Sequence, residues 1–232
     1  MKILPALLLS ASLLAAERLR LPDIKENCIP FSEIKVGTDE IDAKECKVTE
    51  SGQFGVVDGE RYFYAIYCLM PGTEKESKCG DNSFAGGYHS RRGLAVFVQK
   101  GEFAELLFER AEPDIGIIYY ENPEIIEIGK TTVLVLKIVI DGTGAGNASE
   151  YFSWQDHKWV PIESEMWQQE LRTKIPAGLQ IWKGIWPDLR TMTAETGLYK
   201  PTDANCCPTG GRAKIELALE NNKFILKKVV IE

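Results

Sequence analysis

The sequence predicts an α+β protein dominated by antiparallel β-sheet, with one or two helices confined to the C-terminal third. Three observations predict it. Short runs rich in aromatic and β-branched residues recur between residues 61 and 140, each bounded by turn residues. Near the C-terminus, Ile215, Leu217 and Leu219 alternate with Lys214, Glu216 and Ala218, as on a half-buried strand. Sustained helical spacing of apolar residues is best developed in one segment, 163–175.

In chain order, "MKILPALLLSASLLAA" (1–16) places one lysine before an apolar run that closes on two alanines, and "ERLR" follows abruptly. That is the layout of a secretory signal peptide, and the run is too short to span a bilayer comfortably. Residues 17–232 are expected to form a single β-rich domain, divisible into subdomains 17–140 and 141–232. The expected strands are "RYFYAIYCL" (61–69), "GLAVFVQK" (93–100), "AELLFER" (104–110), "IGIIYY" (115–120) and "TTVLVLKIVI" (131–140), with a hairpin through Lys100-Gly101. "DGTGAGN" (141–147) lacks the lysine and following helix of a P-loop, and apart from Asp141 and Asn147 it lacks the alternating ligands of a calcium loop. It reads as a glycine-rich connection, and Asn147-Ala-Ser149 matches the N-glycosylation pattern. "YFSWQDHKWVPI" predicts a hairpin turning at Asp156-His157.

In "ESEMWQQELRTKI" (163–175), Ser164 is the expected cap, Glu165 suits the positive end, and Arg172 and Lys174 suit the negative end. Trp167, Leu171 and Ile175 form its apolar stripe, and Pro176 ends it. A shorter helix is expected from Pro187 through "DLRTMTAE" to Gly197. The last pair, "AKIELALE" and "KFILKKVVI", turns at Asn221-Asn222, residues that tolerate positive φ.

A formal charge of −7 argues against nonspecific binding to nucleic acid, and no segment after the leader resembles a transmembrane helix. The six cysteines, Cys28, Cys46, Cys68, Cys79, Cys206 and Cys207, are an even number in a chain expected to be exported, which predicts disulfides. Fifteen pairings are open. With two histidines, His89 and His157, and no C-x-x-C, the sequence assigns no metal site, cofactor or catalytic residue. In "NCCPTGG" (205–211), adjacent cysteines usually reach different partners, so at least one is expected to tie the C-terminal hairpin to another region. The alternative is a vicinal disulfide that serves as a rigid ligand platform.

All five tryptophans lie between Trp154 and Trp186. Core packing is the first expectation for them, above all for Trp167. Trp182 and Trp186 flank a glycine and are the expected surface pair, with Asp188 and Glu195 as hydrogen-bonding neighbours. Arg91 and Arg92, beside His89 in "GGYHSRRG", can receive a carboxylate or phosphate. These six residues, Trp182, Trp186, Asp188, Glu195, Arg91 and Arg92, are the candidate ligand contacts.

The segments "WQDHKWVPIESEMWQQEL", "PAGLQIWKGIWPDLRTMTAETGLYK" and "DANCCPTGGRAKIELAL" resemble an uncharacterised group of secreted or periplasmic proteins of Gram-negative bacteria that share W-K-G-I-W-P-D upstream of C-C-P-T-G-G. The resemblance covers about the last ninety residues. It implies export and a bacterial host, and it supplies no activity. The expectation is therefore a periplasmic or secreted, disulfide-stabilised, noncatalytic binding or accessory protein of the cell envelope, its partner an envelope protein or a glycan. The alternative is a hydrolase of envelope carbohydrate using acids near Trp182 and Trp186.

Overall fold

A computed structural model describes residues 19–20, 35–36, 39–40, 46–69, 91–111, 118–140, 142 and 145–232. The expected leader (1–16), Cys28, Cys79 and His89 lie outside the described residues, as do the side chains of Cys46, Cys68, Arg91 and Arg92.

The strands in order are β1 (Leu19–Arg20), β2 (Lys35–Val36), β3 (Asp39–Glu40), β4 (Cys46–Val57), β5 (Glu60–Leu69), β6 (Arg91–Lys100), β7 (Phe103–Ala111), β8 (Ile118–Tyr120), β9 (Glu124–Ile128), β10 (Thr131–Leu136), β11 (Ile138–Ile140), β12 (Gly146–Asn147), β13 (Glu150–Gln155) and β14 (Lys158–Pro161). Helix α1 (Met166–Lys174) follows, then β15 (Thr193–Gly197), β16 (Arg212–Glu220) and β17 (Lys223–Ile231). All sheets are antiparallel: an N-terminal sheet in the order β1-β7-β6-β5-β4, a central sheet β14-β13-β10-β9, a C-terminal sheet β15-β16-β17, a small sheet β12-β11-β8 and the pair β2-β3. The protein is a β-dominated α+β fold.

Strand β10 organises the core. Val133 and Val135 point into a cluster with Trp167, Leu171, Ile215, Leu217 and Phe224. Leu134 and Leu136 point the opposite way, among Tyr64, Ile66, Leu94 and Val96. The central sheet is thus sandwiched between the N-terminal sheet and the α1/C-terminal layer. A strand covered on both faces reads as a continuous apolar run rather than an alternating one. The expected single strand 131–140 breaks at Lys137, which pairs with Glu124 and lies 3.8 Å from Glu121. Beyond it, β11 joins a different sheet.

Two-residue turns close three hairpins with positive φ at both residues: Asp58-Gly59, Asp156-His157 and Asn221-Asn222. The last two match expectation, and Asp58-Gly59 supplies a third of the favoured hairpin type. These tips are tied together. Asp58 accepts a hydrogen bond from the Trp154 indole (2.9 Å) and its Oδ2 contacts His157 Nδ1 (3.0 Å). Asn222 accepts from the Ser153 hydroxyl (2.5 Å) and donates to the Pro161 carbonyl (2.5 Å).

Two local expectations are corrected. Ser164 does not cap α1; the Glu163 carboxylate accepts the Glu165 and Met166 N–H groups, each at 2.8 Å. The segment 187–197 is not helical. Asp188 accepts the Arg190 and Thr191 amides at 2.9 and 3.4 Å, closing a side-chain turn that competes with helix. Met192 then takes φ +52, and Thr193–Gly197 pairs with β16.

Candidate functional site

A cleft of about 370 Å³ opens where the three layers meet. Its wall includes Arg110 from β7, Asn147 to Phe152 leading into β13, the first turn of α1, Pro187, and Phe224 from β17. The buried rings of Trp167, Tyr151 and Phe224 supply its apolar lining. Tyr151 and Phe224 meet edge-on at 5.1 Å, and burial raises the Tyr151 phenol above its ordinary range, keeping it protonated.

The wall is pre-built by local hydrogen bonds. Asn147 donates its amide to the Ile185 carbonyl (2.7 Å) and accepts the Ser149 N–H (2.9 Å), while the Ser149 hydroxyl accepts the Ile138 N–H (3.3 Å). Gly184 lies so close that a Cβ there would come within 2.3 Å of the Asn147 nitrogen, which explains the glycine between the two tryptophans. The expected glycine-rich connection therefore serves as one wall of the cleft, and the Asn147 side chain is already engaged. On the opposite side, Phe224 N–H donates to the Glu163 carbonyl (2.9 Å), fixing the chain as it enters α1.

Arg110 and Glu150 form an ion pair at 2.5 Å in the wall. Beside them, the Ser164 hydroxyl, the Glu165 carboxylate and the Gln168 amide line the cleft. None of these three side chains has a hydrogen-bond or ion-pair partner among the described residues. They retain hydrogen-bonding capacity at a pre-formed concavity, which is the usual composition of a small-ligand site. One guanidinium faces two carboxylates here, and Glu163 already occupies the first amides of α1. The electrostatics disfavour an anion.

Of the six residues expected from sequence, the four with described side chains, Trp182, Trp186, Asp188 and Glu195, do not line this cleft. Trp182 is half-buried, stacked flat on Tyr199 (centroids 4.7 Å, planes 10° apart) and donating to Gln180 Oε1 at 2.8 Å. Trp186 is 42% exposed, and no ring contact links the two among the described residues. Asp188 holds its own turn; the Thr191 hydroxyl and then the Arg190 amide keep its carboxyl below the ordinary range, the opposite of what a general acid needs. Glu195 pairs across strands with Arg212 at 2.7 Å. Arg91 and Arg92 open β6, and their side chains lie outside the described residues. Trp167 is core, at 2% exposure. Trp154 and Trp159 are half-buried and meet edge-on at 5.0 Å, next to Tyr62.

Cys206 and Cys207 are bonded to each other, so neither fastens the C-terminal hairpin to another element. Both are exposed in the loop that precedes β16. Among the described residues, no group of three or more histidine, cysteine, aspartate or glutamate side chains is placed to hold a metal ion, and no helix is long and apolar enough to cross a membrane. No family model, curated protein or solved structure matches the chain.

Sequence reasoning missed Arg110, Glu150, Ser164, Glu165 and Gln168 as a site. The one local signal was the polar i, i+4 pair Ser164 and Gln168 beside the apolar stripe of α1.

Proposed function

We propose that this chain is an exported, disulfide-bearing binding protein of the bacterial cell envelope, and that the cleft takes a neutral, hydroxyl-rich ligand of the saccharide class without chemical conversion. The observation that carries the reading is the set of unengaged hydrogen-bonding groups of Ser164, Glu165 and Gln168 beside an aromatic floor. Sugars combine apolar ring faces with closely spaced hydroxyls that both donate and accept. Amide, hydroxyl and carboxylate groups match those hydroxyls, and the partly exposed Phe152 ring, backed by the buried Trp167 and Phe224, matches a face. The balance of Arg110 against Glu150 and Glu165 disfavours phosphate or carboxylate ligands. Export is supported by the leader-like residues 1–16.

Two experiments test the reading. Fractionation of cells expressing the full chain should place a product shortened by about sixteen residues in the periplasm or medium. Calorimetry of that product against neutral and anionic envelope oligosaccharides should give saturable binding to neutral ones, with the sugar recovered intact. Retention of the leader in the cytoplasm defeats the export claim. A silent neutral panel, or cleavage of any of its members, defeats the binding claim.

A further inference from the structure

The bridge between Cys206 and Cys207 has no structural partner element to hold. It closes a loop of two residues, the shortest there is, and the chain-entropy gain from a bridge shrinks with the length of the loop it closes. The loop is fixed without it. Asp203 accepts the Lys200 N–H (2.7 Å), the Thr209 N–H (2.8 Å) and the Thr209 hydroxyl (2.7 Å). The Tyr199 hydroxyl donates to the Asn205 carbonyl at 3.1 Å, and Gly210 N–H donates to the Leu198 carbonyl at 2.8 Å. Pro208 packs so closely on Gly197 that a Cβ there would lie 2.6 Å from its Cγ. Residues 204–209 are all exposed, the two cysteines included. A bridge that is accessible, and whose loop is held by hydrogen bonds of its own, can open while the fold stays closed.

We propose that Cys206–Cys207 is a thiol–disulfide exchange site that accepts two electrons from a dithiol substrate. A substrate thiolate attacks one sulfur. A new S–S bond forms to that sulfur, the Cys206–Cys207 bond breaks, and the electron pair leaves on the other sulfur, which takes up a proton. The second substrate thiolate then attacks the mixed disulfide and expels the first protein sulfur, which is protonated in turn. The substrate is oxidised to its disulfide with loss of two protons, and the bridge is reduced to two thiols. Adjacency selects the substrate class. After the first attack, the released thiol sits one residue away and expels a monothiol again, so a substrate with its own second thiol is the one carried through. This activity is separate from the cleft and does not depend on saccharide binding.

The test uses the full exported chain, purified without reductant. It is equilibrated in glutathione redox buffers and with dithiothreitol, alkylated, and read by mass spectrometry of the peptide that carries Cys206 and Cys207. Circular dichroism is recorded on the same samples. The peptide should titrate reversibly between bridged and doubly alkylated forms while the sheet signal is unchanged. Dithiothreitol should reduce it at least tenfold more completely than glutathione at equal thiol concentration. In Cys207→Ser, which removes the resolving thiol, Cys206 should accumulate a glutathione mixed disulfide that the unmodified chain does not. A bridge that stays closed in the most reducing buffer overturns the proposal, because structural bridges resist the glutathione pool. Reduction only with loss of the sheet signal, free thiols before any reductant, or no mixed disulfide in Cys207→Ser does so equally.

Discussion

Asp203 organises a whole loop with one carboxylate. Its carboxyl lies below the ordinary range chiefly because of the Thr209 N–H, then the Lys200 N–H and the Thr209 hydroxyl. A carboxyl depressed on folding stabilises the native loop fully above its unfolded value of about 3.9, and that contribution is lost as pH falls through the folded value. Hydrogen exchange at the Thr209 amide, corrected for its intrinsic pH dependence, should show constant protection at neutral pH and loss below about pH 4. Asp203→Asn should abolish the pH dependence, and protection that persists in strong acid would contradict the assignment. The neighbouring disulfide is expected to matter little for global stability. Replacing Cys206 and Cys207 together by serine should cost about 1 kcal/mol, a fall in Tm of about 2–4 °C for a domain of this size. A loss of ten degrees or more would mean that the bridge holds more than its own loop. Trp167, buried at the junction of helix and sheets, is the contrasting case: Trp167→Ala should cost about 3–5 kcal/mol in chemical denaturation.

At the scale of elements, β10 and the hairpin tips carry the arrangement. Because β10 is covered on both faces, Leu134→Asp and Val135→Asp should each prevent folding, since either buries an unpaired charge. A strand with one wet face would tolerate one of them, and circular dichroism with thermal melts distinguishes the cases. Such strands were legible from sequence. The apolar run 131–140, the aromatic runs 61–69 and 93–100, and the alternation in 213–220 state their burial directly. The break at Lys137 was not legible, because it depends on Glu124 at the start of β9 and Glu121 in the connection before it. The segment 187–197 misled for a related reason. Its proline and glycine are placed as for a helix, yet Asp188 bonds its own turn and the edge of β16 recruits Thr193–Gly197 as a strand. Within α1, Trp167, Leu171 and the basic last turn followed expectation, whereas the cap moved to Glu163.

At the scale of the molecule, the cleft exists because three layers meet. Arg110, Asn147 to Phe152, Ser164, Glu165, Trp167, Gln168, Pro187 and Phe224 come from four sheets, one helix and the connections between them. No short spacing announces such a site; the sequence singled out Trp182, Trp186, Asp188 and Glu195 because they are conspicuous neighbours along the chain. In the fold, Trp182 covers Tyr199 and Glu195 pairs with Arg212, so both are committed elsewhere. The claim that the cleft binds a neutral saccharide is tested most directly by calorimetric titration of the native chain and of a Ser164→Ala/Gln168→Ala variant with the best neutral oligosaccharide, melts of both being recorded. Losing two hydrogen bonds of about 0.5–1.5 kcal/mol each should weaken binding by roughly five- to a hundredfold at an unchanged Tm, while Trp182→Ala leaves affinity unaltered. Equal affinity of the double variant and the native chain, or loss of binding only in Trp182→Ala, would contradict it.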